Sequence, residues 1–134
     1  MSQLYSLDSN IVIDILREKA NVLEYLTNLA HPGDRFAICS VVYYEVMRGF
    51  KIANAYRRAR QFDELYNSML QLPLDEQAIQ EAVRIYASLH RGQQIEDNDI
   101  YIAAIAIVND CTLITANARH FSRIDDLSLL TWNG

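Results

Sequence analysis

Lysine is nearly absent from this chain: Lys19 and Lys51 are the only two, so ten of the twelve basic residues are arginine. Set against 17 acidic residues they leave a formal charge of -5, which argues against a protein that grips nucleic acid through bulk positive charge. Chemistry on nucleic acid through local arginines or bound cations stays open, because arginine suits bidentate phosphate contact. Cysteine is equally sparse. Cys39 and Cys111 each sit in a short apolar run with neither CxxC nor metal-knuckle spacing, which excludes those two motifs and predicts buried free thiols. No apolar run approaches the roughly 18 to 20 residues of a membrane span. The opening MSQLYSLDSN has neither a basic n-region nor an apolar h-region, so a soluble, cytoplasmic protein without a membrane partner is expected. Repeats, low-complexity stretches and linkers are also lacking. With 134 residues, 51% of them hydrophobic, the chain suits one domain, 1–134, with a sizeable core.

What is present alternates. Leu4 to Leu7 reads as a strand that breaks at Asp8-Ser9-Asn10, residues that favour turns and caps, before a helix resumes at Ile11. Val22 to Leu29 has helical spacing and is closed by His31-Pro32-Gly33-Asp34. Phe36 to Cys39 is the next strand; Ser40 is placed to cap a helix over Val41 to Arg48, with Gly49 near its end. A basic helical pattern covers Ala53 to Met69, an extended piece covers Leu70 to Leu74, and Asp75 caps a helix to about His90. A polar loop runs from Gly92 through Asn98. Asp99 then opens Ile100 to Val108, apolar at every position and alanine-rich, which predicts a buried helix. Cys111 to Thr115 is a strand ending at Ala116-Asn117, and Leu129 to Trp132 is a candidate edge strand. Strands alternating with helices predict an α/β fold with a mainly parallel central sheet and helices on both faces.

In such sheets ligands bind beyond the carboxyl ends of the strands, where Asp8, Glu45 and Asn117 are expected and where Asp99 can join them. An Asp just before a helix is often a cap, so Asp8 and Asp99 each admit a structural and a functional reading. Glu45 is harder to assign to structure. Val41, Val42, Tyr43, Tyr44, Val46 and Met47 surround it, and a carboxylate near a buried face needs a partner. Two carboxylates about 4 Å apart repel by about 4 kcal/mol at an effective dielectric near ~20, so a cluster of three binds protons or a cation. A hard divalent ion is the natural resolution. It lowers the pKa of a bound water and stabilises charge developing on a phosphoryl group, and phosphodiester hydrolysis is the chemistry that fits.

Four segments carry a family resemblance. Leu7-Asp8-Ser9-Asn10-Ile11-Val12-Ile13, Ser40 to Gly49 around Glu45, Ile95 to Ala104 around Asp99, and Leu113-Ile114-Thr115-Ala116-Asn117 with His120-Phe121 resemble, in order, the motifs of the PIN-domain nucleases and among them the VapC-type toxins. The resemblance covers nearly the whole chain. It implies a PIN fold, Mg²⁺ or Mn²⁺ as cofactor, RNA as substrate, a cognate antitoxin and a homodimer. By position it makes Asp8, Glu45 and Asp99 the catalytic, metal-binding acids. Asn117 stands where many relatives have a fourth acid, which leaves one metal or two open. Asp97 is either an outer ligand or a helix cap. Ser9, Asn10 and Thr115 either support the acids or satisfy turns, and His120 either touches substrate or is an inert surface residue. Arg48, Arg57, Arg58 and Arg60 are a solvated face or a substrate contact. The antitoxin is expected to bury apolar side chains on exposed helices and to send an arginine into the acidic pocket.

Three competitors remain. A receiver domain would need paired acids after the first strand and a lysine after the last, but Ser9 follows Asp8 and no lysine lies beyond Lys51. An aspartate-nucleophile phosphatase would need an acid at position 10, which is Asn. A catalytically weakened PIN-fold module that only binds RNA or protein is disfavoured by the three acids and left open by Asn117.

Overall fold

Five short apolar runs, β1 (Leu4–Leu7), β2 (Arg35–Cys39), β3 (Leu70–Leu72), β4 (Thr112–Thr115) and β5 (Ser128–Thr131), pair into one sheet of order β3-β2-β1-β4-β5 in the computed structural model, which describes residues 2–19, 21–89 and 95–133. Each pairing is parallel, so the sheet is wholly rather than mainly so. The central strands show why. Tyr5, Ser6 and Leu7 on β1, and Leu113, Ile114 and Thr115 on β4, are all buried, the continuous burial of strands covered on both faces.

Seven helices among the described residues flank the sheet: α1 (Ser9–Leu16), α2 (Val22–Leu29), α3 (Ser40–Ile52), α4 (Tyr56–Ser68), α5 (Glu76–Ser88), α6 (Asp97–Val108) and α7 (Ala118–Phe121). Helix α6 is the buried helix expected, with Ile100 and every residue from Ile102 to Ala106 in the core. Its alanines let the backbone approach its neighbours closely. Asp75 caps α5 as read, accepting from the Ala78 N–H at 2.9 Å.

Several boundaries move. Ser40 does not cap α3. Cys39 holds the cap position without a side-chain bond, while Ser40 Oγ accepts from the Leu74 N–H at 3.0 Å and ties α3 to the segment after β3. Gly49 lies inside α3 rather than at its end, and α4 starts at Tyr56 rather than Ala53. The break between them falls at Asn54, whose φ of 54° ends the helix in the left-handed region. Helix α6 begins at Asp97, two residues before the expected Asp99, and α7 was not anticipated. His90 and residues 92–94 of the expected polar loop lie outside the described residues.

Candidate active site

The strand order places a switch point between β1 and β4: from β1 the chain moves outward to β2 and β3, then crosses back to β4 on the other side. Crevices at the carboxyl ends of such neighbours are where α/β sheets bind ligands. Asp8 leaves β1 here, and Ala116 and Asn117 leave β4.

Asp8 is 4% exposed and is held from several sides. Its Oδ1 accepts the Ser9 N–H at 2.8 Å; its Oδ2 accepts the Thr115 hydroxyl at 2.7 Å and an Asn10 Nδ2–H at 3.4 Å. It occupies the N-cap position of α1 but bonds Ser9, the first helical residue, rather than the N–H groups a turn further on that a capping side chain serves. Asn10 Oδ1 in turn accepts the Ala116 N–H at 3.0 Å, and Thr115 Oγ1 accepts the Asn117 N–H at 2.9 Å. The two strand-end turns are thereby laced together around one carboxylate. Burial raises the proton affinity of Asp8 above the usual carboxylate range, and the Thr115, Ser9 and Asn10 hydrogen bonds offset part of that rise.

Glu45 lies in the second turn of α3, half-buried between Val41, Val42, Val46 and Met47, which face the core. Its Oε2 accepts from Asn98 Nδ2 at 3.1 Å. Burial raises its proton affinity most; the Asn98 bond opposes this, and the charges of Asp8 and Asp99 add to it. Asp99, the third residue of α6, is likewise raised by burial and then by Asp8, with His120 opposing. Asp8, Glu45 and Asp99 thus come from three different elements into mutual electrostatic reach. Among the described residues none of the three pairs with a lysine or arginine, and no three acid, histidine or cysteine side chains meet at a distance one ion could bridge.

Asp97 is not brought to this group. Two residues from Asp99, and therefore about 200° round the helix, it lines a groove between α5 and α6 with Ile79, Val83, Tyr86 and Tyr101. It is no side-chain cap of α6 either; Glu96 holds the cap position. Asn117 directs its amide to His120, Nδ2 to Nδ1 at 3.0 Å, and His120 Nδ1 lies 3.5 Å from Asp99 Oδ2. Asn98 was missed as a partner of Glu45. Placed in the polar loop, it had no helix face to be read from, although its position beside Asp99 was visible.

A groove of about 540 Å³ leads from Ser9 and Glu45 past Ile13 and Phe50 to Arg17 and Arg58. Arg58 is partly spent on structure, since its Nη1 donates to the Leu16 carbonyl at the end of α1. A larger concavity of about 680 Å³, lined by Arg35, Phe36 and Asn67 among others, carries none of the acids.

The sequence model of the PIN domain matches residues 5–127, an interval that contains all three acids, Thr115, Asn117 and His120. The chain belongs to the PIN domain family. Ribonuclease VapC19 of Mycobacterium tuberculosis is 30% identical to it over 124 residues, covering 90% of this chain and 94% of that protein. Ribonuclease VapC1 of Haemophilus influenzae strain R2866 is 25% identical over 131 residues, covering 96% and 98% respectively. Among solved structures, VapBC2 from Rickettsia felis bound to a DNA fragment from their promoter superposes with a TM-score of 0.85 at 25% identity, covering 97% of this chain and 99% of that one. The resemblance carried by the four sequence motifs therefore holds, and in this PIN domain the motifs meet at the switch point rather than being spread over the surface.

Proposed function

We propose that this PIN domain is a divalent-metal-dependent endoribonuclease, the toxin of a toxin–antitoxin pair, and that Asp8, Glu45 and Asp99 form its catalytic acid site. The observation that carries the reading is the convergence of three carboxylates, each with raised proton affinity, into electrostatic reach of one another at the sheet's switch point, none of them in a salt bridge with a lysine or arginine among the described residues. The names of its relatives, ribonuclease VapC and the VapBC assemblies, point the same way.

The donor set is of the kind a hard divalent cation takes: three carboxylates, oxygen only, whose mutual repulsion, opposed in part by Arg48, Asn98 and His120, a cation would neutralise. Asp8, Glu45 and Asp99 would hold Mg²⁺ or Mn²⁺, which supplies Lewis acidity toward water and the phosphoryl group when bound. The chain's own part is orientation. Thr115, Ser9 and Asn10 fix Asp8, and Asn98 holds Glu45, while gathering the three carboxylates on one ion would need them to close up further. Asn117 belongs to the outer part of the site in this reading.

A cognate antitoxin and a second copy of the chain are the partners, acting in the cytoplasm. Leu23, Tyr44, Ile52, Tyr56, Val83 and Tyr86 are large apolar side chains left exposed and supply surface for such partners. No described helix is long and apolar enough to cross a membrane.

The test is RNA cleavage by the purified protein with Mn²⁺ or Mg²⁺, repeated with EDTA and with Asp99→Asn. Cleavage is expected to vanish with chelator and to fall at least about 100-fold in the variant, the scale of losing a group that stabilises transition-state charge. Activity that survives both changes overturns the reading, and a metal-loaded wild type that binds RNA without cutting it favours the binding-module alternative.

A further inference from the structure

The turn from β4 into α7 sets Asn117 and His120 side by side. Asn117 Nδ2 lies 3.0 Å from His120 Nδ1, and the same Nδ1 lies 3.5 Å from Asp99 Oδ2. On the other flank the Asn117 N–H donates to Thr115 Oγ1 at 2.9 Å, and the Thr115 hydroxyl donates to Asp8 Oδ2 at 2.7 Å. These contacts form a continuous brace from Asp8 through Thr115, Asn117 and His120 to Asp99. It joins one acid that leaves β1 to another on the helix that feeds β4.

The brace has a firm foot. Phe121, next to His120, is 1% exposed and pins α7 to the core, while the His120 side chain itself is 47% exposed. Burial therefore does not orient the imidazole; its contacts with Asp99 and Asn117 do. An amide nitrogen only donates, so Nδ1 donates toward Asp99 in the tautomer that carries its proton there, with the Asn117 amide turned to present its oxygen to the ring, the interchangeable alternative to the Nδ2 contact, and with Nε2 left free of both partners.

We infer that His120 is a positioning residue for Asp99, holding that carboxylate through Nδ1 in the orientation in which it completes the acid site. The inference rests on the proposed function in that Asp99 is taken as one of the acids that hold the cation. Groups that hydrogen-bond a ligating carboxylate from behind typically set metal affinity or activity by about 10- to 100-fold. The surface histidine whose sequence reading was left open between substrate contact and inertness thus takes a third role, within the acid site.

The experiment compares wild type with His120→Ala, His120→Asn and His120→Gln, measuring Mn²⁺ affinity by calorimetry together with kcat and KM on RNA. Asn places an amide where Nδ1 stands, whereas Gln places one where Nε2 stands. His120→Ala is expected to bind Mn²⁺ about tenfold more weakly and to lose kcat by a similar factor, with KM for RNA unchanged because no substrate contact has been removed. Asn should restore most of both losses and Gln should not. Rescue by Gln alone, or a raised KM with Mn²⁺ affinity intact, overturns the inference by making His120 a substrate contact through Nε2. Variants equal to an active wild type overturn it too. A wild type that neither binds Mn²⁺ nor cleaves RNA removes the reading on which it rests, a result distinct from the other two.

Discussion

The Thr115 hydroxyl reaches across 107 residues of sequence to donate a 2.7 Å hydrogen bond to Asp8 Oδ2, and both residues are buried. The same oxygen accepts the Asn117 N–H, so one hydroxyl serves as donor and acceptor at the centre of the site. Thr115→Val keeps the shape and removes both bonds, together with the 3.5 Å one that Thr115 Oγ1 accepts from Asn10 Nδ2. Stability is expected to fall by about 1 to 3 kcal/mol, the cost of leaving a buried polar group unpaired, with kcat falling as well. Thr115→Ser should recover most of each. Denaturant melts and initial rates check this, and a Val variant as stable and active as wild type contradicts it.

Asn98 gives Glu45 its one side-chain hydrogen bond among the described residues. Asn98→Ala should leave the fold in place, because Asn98 sits in the solvent-accessible first turn of α6, yet lower kcat by about tenfold, as loss of a group orienting a ligating carboxylate does. Steady-state kinetics beside a thermal melt separate the two effects. A variant that unfolds before it loses rate would make Asn98 structural.

On the proposed reading, repulsion within the acid group is expected to destabilise the protein without its cation, and a divalent cation that binds would stabilise the folded state in proportion to the logarithm of its concentration over Kd. Mn²⁺ is expected to raise Tm, EDTA to reverse the rise, and Asp99→Asn to blunt it. Glu45→Gln removes one charge without removing bulk. In EDTA it should raise Tm, on the order of 2 °C for a sub-kilocalorie gain in a domain of this length. A lower metal-free Tm for Glu45→Gln would show that the Asn98 bond outweighs the repulsion.

Burial pushes the Cys39 thiol up to about 11 and the Cys111 thiol up to about 12. Both groups are raised above their unfolded values, so their contribution to stability is fully present below the ordinary thiol pKa and is lost as pH rises through the folded values. Neither thiol should react with a disulfide reagent at pH 8 in the native protein, and both should react once it is denatured. Stability should decline between about pH 9 and 11, and Cys39→Ala with Cys111→Ala should flatten that decline. Rapid native reaction of two thiols would contradict their burial.

Apolar runs bounded by turn residues located all five strands, most clearly the central β1 and β4, whose burial on both faces leaves an uninterrupted signal in the sequence. Helix α6 was legible for the same reason. Several helix ends were not, since Ser40 has the composition of a cap but spends its hydroxyl on the Leu74 N–H, a partner 34 residues away, whereas Asp75 caps α5 as its position suggested. The site shows the same division. Glu45 could be singled out from its apolar surroundings, and Asp8 and Asp99, which caps explain almost as well, from the family resemblance, whereas Asn98 and His120 act through side-chain directions that only the start of α6 and the unforeseen α7 determine. Asp97 illustrates the converse: adjacency in sequence suggested proximity, and the helical turn points it to another groove.

The pairing of β1 with β4 bears on the timing of synthesis. Asp8 emerges with the first strand, but the strand that locks it ends at Thr115, so a chain still growing through α5 or α6 has its first acid and no site. The lacing of the two strand-end turns can form only after more than a hundred residues have been made, and the ability to cut RNA would then arrive in one step.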